Sequence, residues 1–178
     1  HERSVRVHLA VNTALYDDEL PAAAALIEQA ATLGVDALIV ADLGVLSLAR
    51  RVCPELALHA STQMGIAGPD AARMAQQLGC SRVVLARELS RAEIAAVAAV
   101  EGIETEVFVH GAMCMCVSGQ CYLSAVLGAR SGNRGRCAQP CRLPFRLGTG
   151  GTEHALSLRD LSLQHELPAL CEMGVDSF

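Results

Sequence analysis

The sequence predicts an α/β protein built on a parallel sheet. Apolar strand-like runs alternate with helix-like runs, and the predicted strands begin 20 to 32 residues apart, which is the rhythm of βα units. Hydrophobic residues make up 52% of the 178-residue chain and charged residues 19%, which excludes a disordered chain. The first βα turn lacks a Gly-rich fingerprint, so a dinucleotide-binding fold is disfavoured. The pattern leaves a (β/α)₈ barrel and an open doubly wound sheet as alternatives.

Local signals place each element in turn. Pro69 suits a first helical turn, and Ser90 with Glu93 forms a capping box. Short apolar runs predict the strands Val5–Val11, Ala37–Ala41, Leu56–His59, Arg82–Leu85 and Glu106–Val109. Longer runs with helix-start and helix-stop signals predict helices at Leu20–Leu33, Val45–Arg51, Pro69–Leu78, from Ser90 to about Val100, and at Leu161–Met173.

A weak repeat marks three junctions between a helix and a strand. The runs LGVD at 33–36, LGCS at 78–81 and MGVD at 173–176 each combine a C-cap Gly with the start of an apolar run. The third run stops at Phe178, so we expect the chain to end at the entry to another strand. Together with the missing initiator Met, this pattern predicts that residues 1–178 are a single partial domain of a longer protein.

The charges are unevenly distributed. All 14 basic residues are Arg, so this segment holds neither a P-loop lysine nor a Schiff-base lysine. Five arginines and no Asp or Glu fall between Val107 and Thr152, which leaves −10 on the remainder of a chain with a net charge of −5. This basic zone predicts either an anion site, for a phosphate backbone or a carboxylate substrate, or a set of solvated and ion-paired arginines. Aromatic residues are only 3% of the chain, which argues against a surface that stacks on single-stranded bases.

Polar side chains follow five successive predicted strands. In both α/β alternatives the carboxyl ends of the strands meet at one rim, where the chemistry of such proteins lies. We therefore expect a site here, although a single strand end is often polar simply because it reaches solvent. The candidate residues are Asn12, Asp42, His59, Gln63, Arg87, Glu88 and His110.

Five of the eight cysteines fall within 28 residues. Their spacing from Cys114 to Cys141 is C-x-C-x₄-C-x₁₅-C-x₃-C. No signal peptide is visible, so metal ligands or redox groups are expected before disulfides. A [4Fe–4S] cluster tolerates irregular spacing, whereas structural zinc usually takes two C-x₂₋₄-C pairs. From spacing alone, an iron–sulfur cluster, a zinc site, a reactive thiol and inert cysteines all stay open.

The same residues carry a family resemblance. The runs EVFVHGAMC at 106–114, SGQCYLS at 118–124 and RSGNRGRCAQPCRLP at 130–144 resemble the collagenase-like peptidases of family thirty-two of the unknown-catalytic-type group. HASTQ at 59–63 and VLAREL at 84–89 are equally typical. The resemblance covers essentially the whole chain and implies a TIM-type (β/α)₈ barrel. This chain would span the third strand to the very start of the eighth, with a Cys-rich cluster loop at 111–146.

The resemblance also implies a chemistry. Better understood members of the family are iron–sulfur proteins that hydroxylate without molecular oxygen, some of them on a pyrimidine of ribosomal or transfer RNA with prephenate as the hydroxyl source. The cluster ligands carried over from them are Cys114, Cys121, Cys137 and Cys141, while Cys116 lies where the pattern usually has another residue. The runs at 118–124 and 137–144 resemble the rRNA-hydroxylase branch most.

We combine these observations into one hypothesis, an RNA hydroxylase with a [4Fe–4S] cluster. His110 and Glu88 would transfer protons, and Arg130 and Arg134 would bind RNA phosphates or a prephenate-like dicarboxylate. We expect a cytosolic protein with no membrane partner, and exposed edges of a partial barrel would favour pairing between copies of the chain. The remaining pocket-lining residues would be Asn12, Asp42, His59, Gln63 and Arg87.

Two alternatives compete with this hypothesis. A collagenase-like peptidase would need a nucleophile and a base, and only Cys114 with His110 offers such a pair, since the chain has neither H-E-x-x-H nor G-x-S-x-G. A binding module would instead use the same cysteines for a structural zinc site.

Overall fold

A parallel sheet forms the centre of the part of the chain that the structure describes. The computed structural model describes residues 2–118, 120–146, 148 and 150–178. The sheet strands are β1 (His8–Val11), β2 (Ala37–Val40), β3 (Ala57–Ala60), β4 (Arg82–Val84) and β5 (Glu104–Glu106). Their order across the sheet is β1-β2-β3-β4-β5, and every neighbouring pair is parallel. Strands that pair in chain order and in parallel require a crossover between each pair.

One helix follows each of the first four strands. Asp42 caps the second helix, because its Oδ1 accepts hydrogen bonds from the N–H groups of Gly44 at 2.7 Å and Val45 at 3.1 Å. The fourth helix begins with the predicted capping box of Ser90 and Glu93. The four helices are α1 (Leu20–Thr32), α2 (Leu43–Val52), α3 (Pro69–Gln77) and α4 (Arg91–Ala98).

The hydrophobic core lies between these helices and one face of the sheet. Ile27 of α1, Leu38 of β2, Leu58 of β3 and Val83 of β4 are fully buried in it. Full burial of one such side chain contributes about 1.5–3 kcal/mol to the stability of the folded chain. Because side chains alternate along a strand, the strand residues next to Leu38, Leu58 and Val83 point to the opposite face of the sheet.

The last residues extend the sheet past β5. Ser177 forms a parallel bridge with Glu106, and its carbonyl oxygen accepts a hydrogen bond from the N–H of Val107 at 3.0 Å. The carboxylate of Asp176 also accepts a hydrogen bond from the N–H of Thr105 at 2.7 Å. Asp176 and Ser177 therefore lie beside β5, on the side opposite β4.

The strand order bears on the choice between the two predicted architectures. A doubly wound sheet reverses its strand order at a switch point, and the described sheet does not reverse. The α/β class and the parallel sheet are therefore confirmed. Among the described residues the sheet is open, because β1 pairs only with β2, and no closed barrel is seen.

Three predicted elements differ from the structure by three residues or more. The predicted strand Val5–Val11 is β1, which begins only at His8. The predicted strand Glu106–Val109 is β5, which ends at Glu106. The predicted helix Leu161–Met173 is wrong in its first turns, because Leu161 pairs with Gly111 in an antiparallel ladder. The helix itself, α6, begins only at Leu167 and ends at Glu172, with Pro168 in its first turn.

Residues 107–166 leave the sheet and return to it. Here β6 (His110–Ala112) pairs antiparallel with β9 (Asp160–Ser162), and β7 (Phe145–Arg146) pairs antiparallel with β8 (Thr152–Glu153). The short helix α5 (Leu123–Gly128) lies between them in sequence. We call residues 111–146 the cysteine segment. Within the described residues, no helix combines the length and apolarity needed to cross a bilayer.

Candidate active site at the strand ends

A cavity of about 220 Å³ lies where the ends of β3 and β4 meet the cysteine segment. It joins three cysteines of that segment to polar residues that follow the two strands. This is the carboxyl end of the parallel sheet, where α/β proteins carry their sites. The cavity is lined by Thr62, Gln63, Arg87, Glu88, Met113, Cys114, Ser118, Cys121, Gly132, Asn133 and Cys137.

Ser61 organises the end of β3. It is buried and caps a single 3₁₀ turn, Thr62–Met64, by accepting a hydrogen bond from the N–H of Gln63 at 3.3 Å. The side-chain amide of Asn12, just after β1, donates to the same hydroxyl at 3.2 Å. The ends of β1 and β3 are therefore joined through the hydroxyl of Ser61, which binds both Asn12 and the N–H of Gln63. Gln63 lines the cavity, and Asn12 does not.

Two residues after β4 anchor the cysteine segment. The guanidinium of Arg87 donates to the carbonyl of Ala112 at 2.7 Å and lies 4.0 Å from the centre of the Phe108 ring. The carboxylate of Glu88 accepts a hydrogen bond from the N–H of Ser118 at 2.8 Å and another from its hydroxyl at 3.1 Å. Both predicted residues thus hold the segment against the sheet and line the cavity.

Three of the four predicted cluster ligands, Cys114, Cys121 and Cys137, line this one cavity. A methyl group at Gly132 would be in ordinary van der Waals contact, at 3.6 Å, with the carbonyl oxygen of Cys121 and the Cβ of Cys137, so Gly132 lies beside both cysteines. The N–H of Gln139 donates to the Sγ of Cys137 at 3.4 Å, and Gln139 adopts the left-handed conformation, φ 54°. Backbone N–H bonds to sulfur are among the contacts that tune iron–sulfur clusters.

The other two cysteines of the segment are close to these thiols. The pKa of Cys116 is raised above its ordinary value, chiefly by a hydrogen bond with Cys121 and then by burial and the charges of Cys121, Cys114 and Cys141. Cys141, the fourth predicted ligand, is therefore within electrostatic reach of the group although it does not line the cavity.

The donor set fits a thiolate-bound metal or cluster. Every cysteine of the chain is a free thiol, and thiolate ligands select iron–sulfur clusters or zinc. In the described part of the chain, no three His, Cys, Asp or Glu side chains already stand close enough together to hold a metal ion. The thiols are therefore chemically suited to a metal ion or an iron–sulfur cluster. To bind one, they would have to move closer together than they are in this structure.

Two arginines of the basic zone are committed to the fold. Arg134 donates to both carboxylate oxygens of Glu19, at 2.8 and 2.6 Å, and to the carbonyl of Ala14 at 2.9 Å, and it lies 4.2 Å from the centre of the Tyr16 ring. The hydrogen bond with Arg134 is the main reason why the pKa of Glu19 is lowered to about 2.

Arg142 ties the middle of the cysteine segment together. It donates to the carbonyls of Met113 at 3.0 Å and Leu158 at 2.5 Å and to the hydroxyl of Ser157 at 2.9 Å. Arg130, by contrast, is exposed, and its side chain makes no hydrogen bond or ion pair with a described residue.

Two further predicted site residues, Asp42 and His110, also lie outside the cysteine cavity. Asp42 caps α2 and lines a neighbouring cavity, which shares Gln63 and Asn133 with the first. His110 is exposed in β6, where it pairs with Ser162, and it lines a different cavity that also contains Phe178. The structure therefore places Glu88, but not His110, among the cysteines.

His59 lies inside β3 rather than after it. Its ring is buried on the face of the sheet away from the helices and meets the ring of His8 edge-on at 4.7 Å. Burial, followed by the charges of Arg82 and His8, lowers the pKa of His59 to about 4. It lines a cavity of about 520 Å³ at the amino ends of the strands, not the cysteine cavity.

Arg82, next to His59 across the sheet, is held by two carboxylates. Its guanidinium contacts Glu104 at 2.5 Å and Glu106 at 2.9 Å, and only 8% of its side chain is exposed. We call His8, His59, Arg82, Glu104 and Glu106 the interior cluster.

Sequence reasoning missed several site residues. Ser118, the partner of Glu88, was visible only as part of a family run. Asn133 also lines the cavity, and its Oδ1 is buried without a hydrogen-bond partner among the described residues. Thr62 follows His59 and Ala60 in the chain but faces the cavity because the 3₁₀ turn redirects it. The ion pair of Glu19 could not be read from its own surroundings in the sequence, since its partner Arg134 is 115 residues away.

The chain resembles known proteins over its full length. The model of Peptidase family U32 matches residues 1–178. The 23S rRNA 5-hydroxycytidine C2501 synthase of Escherichia coli is 41% identical over 184 residues, covering 100% of this chain and 28% of that protein. The tRNA hydroxylation protein P1 of Bacillus subtilis is 34% identical over 184 residues, covering 97% of this chain and 44% of that protein.

One further relative and one solved structure complete the comparison. A collagenase of Porphyromonas gingivalis is 30% identical over 196 residues, covering 99% of this chain and 47% of that protein. The structure of the U32 peptidase Mk0906 shares the fold, with a TM-score of 0.56 and 17% identity over 88% of this chain and 68% of that chain. The chain spans less than half the length of each of the three sequence relatives. Since the family model matches every residue from 1 to 178, the chain belongs to peptidase family U32.

Proposed function

We propose that the whole protein hydroxylates a pyrimidine base of RNA and that the cysteine cavity is its active site. The observation that carries this proposal is the meeting of Cys114, Cys121 and Cys137 with the carboxylate of Glu88 in one cavity at the carboxyl end of the sheet. The names of two relatives, an rRNA hydroxycytidine synthase and a tRNA hydroxylation protein, support RNA as the substrate.

In this proposal a [4Fe–4S] cluster is held by Cys114, Cys121, Cys137 and Cys141. Such a cluster supplies one-electron chemistry when it is bound. The hydrogen bond from the Gln139 N–H to the Cys137 sulfur and the position of Gly132 beside Cys121 and Cys137 support this assignment. Zinc remains the alternative occupant of the same thiols.

The polar residues of the cavity then divide the work of binding and proton transfer. Glu88 accepts the proton that is released when a C–H of the pyrimidine becomes C–OH, and later gives it up to solvent. Its carboxylate is placed for this because it faces the cavity and Ser118 fixes its orientation. Arg87 supplies positive charge for a dicarboxylate hydroxyl donor such as prephenate. The unpaired Oδ1 of Asn133 accepts a hydrogen bond from an N–H on the edge of the base, and Gln63 and Thr62 offer further donors and acceptors.

The peptidase alternative has less support from the site. Its one candidate pair is Cys114 with His110, and these two residues line different cavities. Because one of the relatives is named a collagenase, the experiment below also includes an assay for peptide cleavage.

The proposal is tested in the full-length protein purified without oxygen. A strain that lacks the gene is complemented with the wild type, with Cys121→Ala, or with Cys171→Ala as a control at an exposed cysteine on α6. We expect about four irons and four sulfides per wild-type chain. We also expect loss of both the cluster and one hydroxylated nucleoside in Cys121→Ala, measured by mass spectrometry of total RNA, and retention of both in Cys171→Ala.

Three results would contradict the proposal. An unchanged hydroxylated nucleoside in Cys121→Ala without iron would remove the cluster from the mechanism. One zinc per chain and no sulfide would make the segment a structural zinc site. Peptide cleavage that is stopped by alkylating one thiol, with no RNA nucleoside affected by gene deletion, would support the peptidase.

A further inference from the structure

We propose that the outer face of α5 and the loop after it form the surface that binds RNA beside the cavity. Tyr122 stacks on one unpaired base next to the modified nucleotide, and Arg130 and Arg136 bind the flanking phosphates. This inference rests on the proposed function, because it assigns a contact surface to the same RNA substrate.

The first support is the state of the arginines in the basic zone. Arg134 and Arg142 are bound to carboxylate, carbonyl and hydroxyl oxygens of the fold. Arg130, Arg136 and Arg146 are exposed, and their side chains make no hydrogen bond or ion pair with any described residue. Because no Asp or Glu lies between Val107 and Thr152, these cations have no acidic neighbour in the local sequence. Free guanidinium groups suit phosphate oxygens.

The second support is the exposure of large side chains on α5. Tyr122 is 72% exposed and Val126 is 78% exposed. The N–H of Val126 donates to the carbonyl of Tyr122 at 2.9 Å, so the two residues are one helical turn apart and share a face. The opposite side of α5 is fastened, because the buried hydroxyl of Ser124 accepts a hydrogen bond from the N–H of Ala138 at 2.7 Å. The helix is therefore held with its tyrosine and valine turned outward.

The third support is the position of this face beside the cavity. Tyr122 directly follows Cys121, Arg136 directly precedes Cys137, and Arg130 comes two residues before Gly132. Cys121, Cys137 and Gly132 all line the cavity. Successive Cα atoms are about 3.8 Å apart, so all three side chains start within about 8 Å of the cavity wall. An RNA strand with one base in the cavity would pass over this face.

Charge favours RNA over a second copy of the chain as the occupant. In a two-fold dimer each patch meets itself, so the unpaired arginines of both copies would be brought together. The low aromatic content excludes an extended stacking platform, but a single exposed tyrosine suffices for one splayed base.

The experiment measures binding of a fluorescent single-stranded RNA to the full-length protein by anisotropy over a salt series. Each lost phosphate contact lowers the slope of log K against log salt by about 0.7 for single strands, so R130A/R136A should lower it by about 1.4. Tyr122→Ala should weaken binding about tenfold without changing the slope, and Tyr122→Phe, which keeps the ring, should bind like the wild type. Arg51→Ala is the control, because Arg51 is exposed in the last turn of α2 on the helical layer.

The outcomes separate this surface from the proposed function. Wild-type binding to RNA with unchanged affinity in Tyr122→Ala and in the double arginine variant would overturn the surface and leave the function standing. No RNA binding by the wild type, together with no nucleoside lost on gene deletion, would overturn both. A change of oligomeric state in Tyr122→Ala, measured by sedimentation, with RNA affinity unchanged, would assign the face to a second copy. Circular dichroism of each variant confirms that the fold is kept.

Discussion

The interior cluster and the cysteine segment both contain polar groups next to the same sheet. In the first, the central charged group is paired within the fold, whereas in the second several charged and thiol groups are unpaired in the part of the chain that the structure describes. In the interior cluster Arg82 is buried between Glu104 and Glu106, which come from the neighbouring strand. In the cysteine segment three arginines are unpaired among the described residues, all five cysteines are free thiols, and Tyr122 is exposed. A charged group that is buried against a sheet must find its partners within the fold, as Arg82 does.

This difference indicates where a ligand would bind. A cation that already has two carboxylate partners has little left to offer a ligand, and removing it exposes the partners to each other. Thiols and guanidinium groups without partners keep their full capacity for a metal, a phosphate or a carboxylate. We therefore expect substitutions in the interior cluster to change stability, and substitutions around the cysteine cavity to change function.

The largest expected effect is on stability, from Arg82→Met. This change removes the cation that separates two carboxylates on β5, so the free energy of unfolding of the full-length protein should fall by about 3 kcal/mol. Urea unfolding measures it. The control is Arg73→Met, whose ion pair with Asp70 is exposed, and which should change the free energy of unfolding by less than about 1 kcal/mol. Equal losses in the two variants would mean that the interior cluster is no more structural than a surface pair.

Much of the sheet could be predicted because its signals are local. β2, β3 and β4 are short apolar runs that begin within one residue of the predicted positions, and α4 begins at the capping box formed by Ser90 and Glu93. The pairing of Gly111 with Leu161 could not be predicted in the same way, because the two residues are 50 positions apart and their own neighbours favour no strand.

The site followed the same division between local and distant signals. The rule that strand ends converge brought Gln63, Arg87 and Glu88 together with three cysteines. His59 does not reach the cysteine cavity because side chains alternate along β3, so its ring lies on the face of the sheet opposite Leu58 and Ala60 and lines the cavity at the amino ends of the strands. His110 also lies outside the cysteine cavity. It is not at the end of a sheet strand, because β5 ends at Glu106, three residues before the predicted end.

The next effect concerns activity, from Glu88→Gln. The amide keeps an oxygen that accepts the Ser118 N–H but removes the proton acceptor, so RNA hydroxylation should fall about 100-fold. Iron content and the midpoint of urea unfolding should stay as in the wild type. Glu101→Gln, at an exposed carboxylate outside the cavity, is the control for the change in charge. Full activity of Glu88→Gln would assign this carboxylate to anchoring the segment alone.

A smaller effect is a dependence of stability on pH from His59. Its pKa of about 4 lies below the ordinary 6.5, so between these values the unfolded chain binds more protons at this site than the folded one. Stability should therefore fall as the pH is lowered from 7 to 4.5, by about 2 kcal/mol, less than the full shift because pH 4.5 still lies above the folded pKa. Urea unfolding at pH 7 and pH 4.5 measures it. The prediction fails if His59→Leu loses as much stability as the wild type over the same range.

The smallest effect tests how the cysteine segment is held to the first βα unit by the ion pair of Arg134 with Glu19. Glu19→Gln keeps every arginine in the loop after α5 but removes the charge that holds Arg134, so trypsin should cut after Arg130, Arg134 or Arg136 a few times faster. The urea midpoint should not change, because the sheet and its helices keep their core. Asp17→Asn, at an exposed carboxylate two residues away, is the control for net charge.

The pH dependence of this cleavage distinguishes the ion pair from a general loosening. The pKa of Glu19 is lowered to about 2, so its carboxylate stays charged above the ordinary value of 4.5 and the ion pair is lost only as the pH falls toward 2. The difference in cleavage rate between Glu19→Gln and the wild type should therefore be constant from pH 6 to pH 8. A difference that changes across this range, or an equal acceleration in Asp17→Asn, would mean that another titrating group holds the loop. If the difference is constant, the ion pair with Glu19 is one of the contacts that position the cysteine segment against the first βα unit, and it does so without using the arginines that are unpaired among the described residues.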